Sequence, residues 1–262
     1  MTTFRGHFRR PQLTTRKRKR GRVRIITWTS LLVIFVFLVT GAYGFYRVTR
    51  NLPQIGSLQD YEPPIVTTVY AADNTPIAEF YVERRIVVPL ERIPQKLIEA
   101  FVSAEDSRFF EHEGIDFLGI LRALWKNIKA GGIVQGGSTI TQQVTKSLLL
   151  SPERSFSRKL KEAILAYRIE KHLSKQEILF LYLNQIYLGH GAYGVQAAAQ
   201  NYFGKNVEEL NLAECATLAG LPQAPSRYSP YSHPERAKER QVYVLNRMVA
   251  DGYIRASCPR LA

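Results

Sequence analysis

Two glutamates, Glu105 and Glu162, stand on either side of a run from Gly136 to Lys146 that reads Gly-Gly-Ser-Thr-Ile-Thr-Gln-Gln-Val-Thr-Lys. The glycine pair lets backbone approach a ligand closely. Thr139 and Gln142 have the Thr-x-x-Gln spacing of a capping box, in which side chain and backbone at a helix start satisfy each other. The exposed N–H groups of such a start are expected to face an anion, a phosphate above all. Lys146, one turn after Gln142, adds a cation. By itself a glycine pair before a capped helix is most often an ordinary loop-to-helix turn, so the reading depends on what surrounds it.

Leu97, Phe101 and Glu105 recur at i, i+4 and i+8 of a helix expected from Pro94, so the carboxylate continues an apolar stripe. Desolvation there raises its pKa, which suits a general base near neutral pH. Asp106, Arg108, Phe109, Phe110 and His112 follow at once; in isolation that segment reads more simply as a solvated helix end with a satisfied histidine. Downstream, a helix expected to be capped at Ser151 carries Arg154, Arg158 and Glu162 at i, i+4 and i+8. Such spacing usually marks a salt-bridged solvated face. Leu165 and Ile169 continue that face, however, while Phe156, Leu160, Ile164 and Tyr167 form a second apolar side, which predicts burial on both sides with the charges at a cleft wall. Two acids with several cations suit displacement of a phosphate leaving group by a sugar hydroxyl: the base activates the hydroxyl, and cations offset the developing negative charge. A glycan-cleaving enzyme needs less cationic charge, because an alcohol leaving group asks for a proton instead. Histidine-rich metal spacing is absent, which argues against a zinc mechanism.

These residues need a frame, and the frame begins with an anchor. The formal charge of +14 invites a nucleic-acid reading, but ten Lys or Arg and no acid lie in residues 1–24, leaving 26 basic against 22 acidic residues elsewhere. The basicity is local and abuts the membrane segment, so no nucleic-acid partner is expected. The run from Ile25 to Tyr46 is uncharged over 22 residues, about 33 Å as a helix at roughly 1.5 Å per residue, enough to cross a bilayer core. It is longer than the apolar region of a cleaved signal peptide. Basic residues on its N-terminal side predict a cytoplasmic N-terminus, with residues 47–262 on the far side of the membrane. The expected organisation is a basic tail at 1–24, an anchor at 25–46, a linker at 47–64, one folded region at 65–255 and a tail at 256–262. Ile65 to Tyr70 and Ile77 to Val88 read as a small β element around the turn at 73–76. Helices dominate from Pro94, with start signals at Ser174 with Glu177 and Asn211 with Glu214, and stops near Gly189, Gly204 and Gly220. The fold class is mostly α with a minor β piece. Cys215 reads as a small buried residue and Cys258 lies in the tail, so no disulfide is expected.

Four segments together resemble a known family: Glu105 to Gly114, Gly136 to Lys146, Arg158 to Glu162 and Lys175 to Asn184 have the order and spacing of the peptidoglycan glycosyltransferase domain of class A penicillin-binding proteins and monofunctional transglycosylases. The resemblance covers roughly residues 60–255. It implies a lysozyme-like, mainly helical, two-lobed fold, whose smaller jaw dips into the membrane; Phe117 to Ile133 is the candidate for that jaw, plain core helix being the simpler alternative. It implies as substrates lipid II and the growing glycan strand, with the GlcNAc 4-hydroxyl of an incoming lipid II displacing undecaprenyl pyrophosphate from the strand's anomeric carbon with inversion. Glu105 is then the general base and Glu162 the second acid. Lys146, Arg154, Arg158 and Lys159 hold the pyrophosphates, Ser138, Thr139, Gln142 and Gln143 line the loop, and Asp106, His112 and Asn184 support. No cofactor is required, although a divalent cation such as Mg2+ could assist the pyrophosphate, and cell-wall synthesis proteins are candidate partners beside the membrane.

One position departs from the pattern: residue 180 is Phe where many relatives carry Glu, which leaves Tyr182 and Asn184 as structural candidates. No serine is followed three residues later by lysine, so this chain as it stands offers no penicillin-acylation motif. Two rivals remain at this stage: a lysozyme-like glycan cleaver with Glu105 as acid, which the cationic set does not suit, and a non-catalytic membrane scaffold, which the paired acids argue against.

Overall fold

The computed structural model describes residues 15–50, 52–53, 67–80, 83–132, 136–150 and 155–255. It divides into two compact units, Met1–Asn51 and Leu52–Ala262. In the first, one helix, α1, spans Thr15–Thr49. Its portion Thr27–Thr49 is long and apolar enough to cross a membrane. The helix runs past both ends of the apolar segment read from the sequence, because Lys and Arg are good helix formers and no proline interrupts Thr15–Thr49.

The second unit is mostly helical. Strands β1 (Thr67–Tyr70) and β2 (Pro76–Phe80) form an antiparallel hairpin. The second expected strand does not run on to Val88: Tyr81 and Val82 lie outside the described residues, and Arg84–Arg85 form a separate strand, β3, which pairs in parallel with β4 (Ala192–Tyr193). Helices α2 (Gln95–Glu105), α3 (Phe117–Ala130), α4 (Ile140–Leu148), α5 (Phe156–His172), α6 (Lys175–Gln185), α7 (Val195–Phe203), α8 (Leu212–Gly220) and α9 (Pro234–Ala250) follow. The capping boxes expected at Thr139, Ser174 and Asn211 all form, starting α4, α6 and α8. Gly204 ends α7 in the left-handed conformation. Helix α5 starts later than expected. Ser155 caps it by accepting from Arg158 N, so the helix begins at Phe156; Ser151 and Arg154 lie outside the described residues.

The core gathers Leu97, Phe101 and Val102 of α2, Ile140 and Val144 of α4, Leu165 and Ile169 of α5, Ile178, Tyr182 and Leu183 of α6, and Leu218 and Val244 of α8 and α9. Each large apolar side chain withdrawn from water there contributes about 1.5–3 kcal/mol. Helix α2 packs on α8 and α9, and α4 packs on both α5 and α6. The end of α2, the second turn of α4 and the first part of α5 thus meet around one cleft. The second apolar side expected to be buried on α5 is not: Leu160 and Ile164 are half-buried and Tyr167 is exposed, while the side chain of Phe156 lies outside the described residues.

Candidate active site

Glu105 is the last residue of α2, and Asp106 leaves the helical conformation as its C-cap. The buried Asp106 carboxylate turns back to accept from Ile140 N, the first amide of α4, at 3.0 Å. His112 Nε2 donates to it, 3.0 Å from each oxygen. Thr139 accepts from Gln142 N at 3.1 Å and donates through Oγ1 to Gly114 O at 2.7 Å, while Thr139 N donates to Gln142 Oε1. Gly114 has to be glycine: its φ is +83°, and a Cβ would come within 2.6 Å of Ala166 O.

This arrangement corrects the reading of the helix start. The amides of Ile140 and Gln142 are not left facing a phosphate, because Asp106 and Thr139 occupy them. A carboxylate of the chain itself sits where the helix dipole favours negative charge. Gln142 is buried within the cap, whereas Thr139, also buried, lines a small cavity of about 30 Å³ together with Glu105, Asp106 and Ser138.

The cap has a geometric product. One turn into α4, Gln143 Nε2 donates to Glu105 Oε2 at 2.8 Å. From the other side, the Arg240 guanidinium on α9 lies 4.0 Å from Glu105 Oε1. Burial is the largest influence on Glu105 and raises its pKa above the ordinary carboxylate range, while the Gln143 hydrogen bond and the Arg240 charge pull it back and the Asp106 charge adds to the rise. Tyr182, fully buried on α6, feels the same surroundings: desolvation first, then the charges of Glu105 and Asp106, hold its phenol well above 10 and therefore neutral.

The opposite wall comes from α4 and α5. Glu162 is almost completely buried, yet Lys159 Nζ donates to its Oε1 at 2.6 Å and Arg158 Nη1 lies 3.8 Å from Oε2. Lys159 Nζ also donates to Ser138 Oγ at 2.8 Å, tying α5 to the loop before α4. Arg158 keeps Nε and Nη1 buried without a hydrogen-bond partner. Between the walls lies a cleft of about 330 Å³ lined by Glu105, Ser138, Gln143, Lys146, Arg158, Lys159 and Glu162, with Gln223, Arg240 and Tyr243 from the C-terminal part of the chain. The structure brings together Glu105, Glu162, Lys146, Arg158, Lys159, Ser138 and Gln143. It places Asp106 beside Glu105 and His112 against Asp106.

Asn184 belongs elsewhere. Its amide accepts from Val88 N at 2.9 Å and donates to Val88 O and Phe180 O, both at 3.0 Å, clamping the segment ahead of α2. Phe180 packs against the core, which accounts for an apolar residue at that position. Gln223, Arg240 and Tyr243 were missed by reading local motifs, since they lie more than a hundred residues beyond Glu105 in the chain. Arg240 did carry a signal, because it sits in the α9 stripe of Ala237, Val244 and Met248, as Glu105 does in that of α2.

Comparison with known proteins agrees with this geometry. The family model described as Transglycosylase matches residues 73–249. The chain is 53% identical over 204 residues to "Penicillin-binding protein 1A" of Neisseria flavescens, covering 78% of this chain and 26% of that protein. Identity is 49% over 226 residues to the proteins of the same name from Aquifex aeolicus and Escherichia coli, covering 86% of this chain and 31% and 27% of theirs. The chain therefore spans less than a third of the length of these relatives. With the matched segment running from the β1–β2 hairpin through α9 and so enclosing the whole cleft, the chain belongs to the transglycosylase family.

Proposed function

We propose that the chain is a peptidoglycan glycosyltransferase that polymerises lipid II into β-1,4-linked glycan strands. The observation that carries this is the cleft itself: a desolvated carboxylate, Glu105, shares one cleft with Lys146, Arg158 and Lys159. In this reading Glu105 takes the proton of the acceptor's GlcNAc 4-hydroxyl. The freed oxygen bonds to the anomeric carbon of the donor strand's MurNAc, and the bond from that carbon to the pyrophosphate oxygen breaks with its electron pair leaving on the phosphate. Attack opposite the leaving group turns the α-linkage into β.

The three cations receive that charge. Glu162 contacts cations, so its role is to aim Lys159 and Arg158 at the leaving group, with Ser138 fixing Lys159 from the other side. Arg154 would add to this set. Any divalent cation would arrive with the pyrophosphate, since among the described residues no group of three His, Cys, Asp or Glu side chains is placed to hold one. The proposed division keeps a catalytic domain at 65–255, a linker at 47–64, an anchor at 25–46 with a cytoplasmic N-terminal tail at 1–24, and a short tail at 256–262. The catalytic domain then works on the outer face of the membrane. The α3 helix supports that placement: Phe117, Leu118, Leu121, Leu124, Trp125 and Ile128 are all exposed, and Ala123 is its one buried residue. A row of this kind favours a lipid surface over water.

The test is polymerisation of labelled lipid II by the purified protein in detergent. Long strands are expected, and Glu105→Gln should lower the rate by at least about 10²–10⁴-fold, the usual worth of a general base. Cleavage of preformed strands without polymer formation would refute the transferase reading.

A further inference from the structure

We propose that Arg240 is the positioning residue for Glu105: held in an aromatic clamp, its guanidinium keeps the carboxylate ionised and oriented to take the acceptor's proton. This rests on the polymerase reading and adds to it a residue from the far end of the chain.

Arg240 is fixed on several sides. Its guanidinium carbon lies 4.4 Å from the centre of the Tyr243 ring and 5.6 Å from that of Tyr228. Its Nε donates to Gly220 O at 3.3 Å. At Gly220 a Cβ would come within 2.8 Å of Arg240 Cγ, so a glycine at the end of α8 is what lets the side chain lie across it. These anchors are rings and a carbonyl. Among the described residues, Glu105 is the carboxylate within ion-pair reach of Arg240. The side chain is 11% exposed, so water screens the pair little.

Gln143 holds Oε2 and Arg240 approaches Oε1, so the carboxylate is gripped from two helices. The other groups facing Glu105 are Asp106 beside it, Lys146 on α4, Arg158, Lys159 and Glu162 on α5, the neutral Tyr182 on α6, and Tyr243 on α9. On α8 the titratable Glu214 and Cys215 lie by Lys96, at the other end of α2. Arg247 of α9 is paired with Asp251 and with Ser103 O. Arg240 is thus the cation in contact with the base, and a guanidinium never gives up its own proton in the working range.

Without Arg240, burial and Asp106 act on Glu105 less opposed, and more of it is protonated at a given pH. In Arg240→Gln the acidic limb of the kcat/KM profile for lipid II is expected to move up by about one pH unit, a tenfold loss on that limb that closes toward alkaline pH. Arg240→Lys, which keeps the charge, should return most of the shift. The same midpoint is read without catalysis by 13C NMR titration of the Glu105 carboxyl in the full chain, with circular dichroism melting to establish that each variant is folded. A matching upward move of limb and midpoint in Arg240→Gln, reversed in Arg240→Lys, supports the proposal. A pH-independent loss with an unmoved midpoint overturns it. A moved midpoint in a protein that makes no polymer even as wild type upholds the contact and overturns the polymerase reading.

Discussion

Glu162 is a buried acid and Glu105 a largely desolvated one at the same cleft, yet their neighbours differ. Glu162 touches Lys159 and Arg158, so its charge is matched where it sits. Glu105 has an amide at one oxygen and a guanidinium 4.0 Å from the other, and burial still raises its pKa. The folded state therefore opposes its ionisation. That opposition is absent when pH is below the ordinary carboxylate value and is felt in full once pH has risen through the raised one. Glu105→Gln is accordingly expected to raise the melting temperature near neutral pH while abolishing polymerisation, with the advantage closing as pH falls. A variant less stable than wild type at neutral pH would mean that Gln143 and Arg240 outweigh burial. Glu105 was legible in the sequence because a charge in an apolar stripe breaks the pattern of its own helix. The same rule fits Arg240, but nothing local says which charge it meets.

At the scale of elements, the chain spends its best local signals on putting α4 in place. Thr139 and Gln142 box its start, and Asp106 occupies the first amide, so the residue after the base fixes the helix whose second turn grips the base. The capping box was readable because it is a four-residue pattern; the carboxylate that supersedes a phosphate there comes from 34 residues upstream, beyond any local pattern. The start of α5 was misplaced for a related reason, since Ser151 before Pro152 and Ser155 are both acceptable caps by composition. Asn184 shows how a motif residue can serve architecture. Asn184→Ala would strand Val88 N and O in the core and should cost about 2–3 kcal/mol of stability. Urea unfolding measures this, and kcat per folded molecule should be retained. Lost turnover with an unmoved unfolding midpoint would return Asn184 to the reaction.

The molecule as a whole carries two apolar features that water does not explain, the span Thr27–Thr49 and the exposed row on α3. The sequence showed the first by its length alone, but α3 could equally have been a core helix, because an amphipathic pattern does not say whether protein or lipid covers its apolar side. Its exposure favours lipid. In a Trp28→Phe protein placed in a bilayer, Trp125 becomes the chain's remaining tryptophan, and brominated lipid should quench its emission. Unquenched emission would detach α3 from the membrane. The cleft adds a consequence in time. Lys146, Arg158, Lys159 and Arg240 against Glu105 and Glu162 make four positive charges to two negative at rest. In the proposed reaction, once Glu105 carries the sugar's proton the surplus grows from two to three, so the site would pull hardest on the pyrophosphate at the moment it is expelled, and relax when that proton departs.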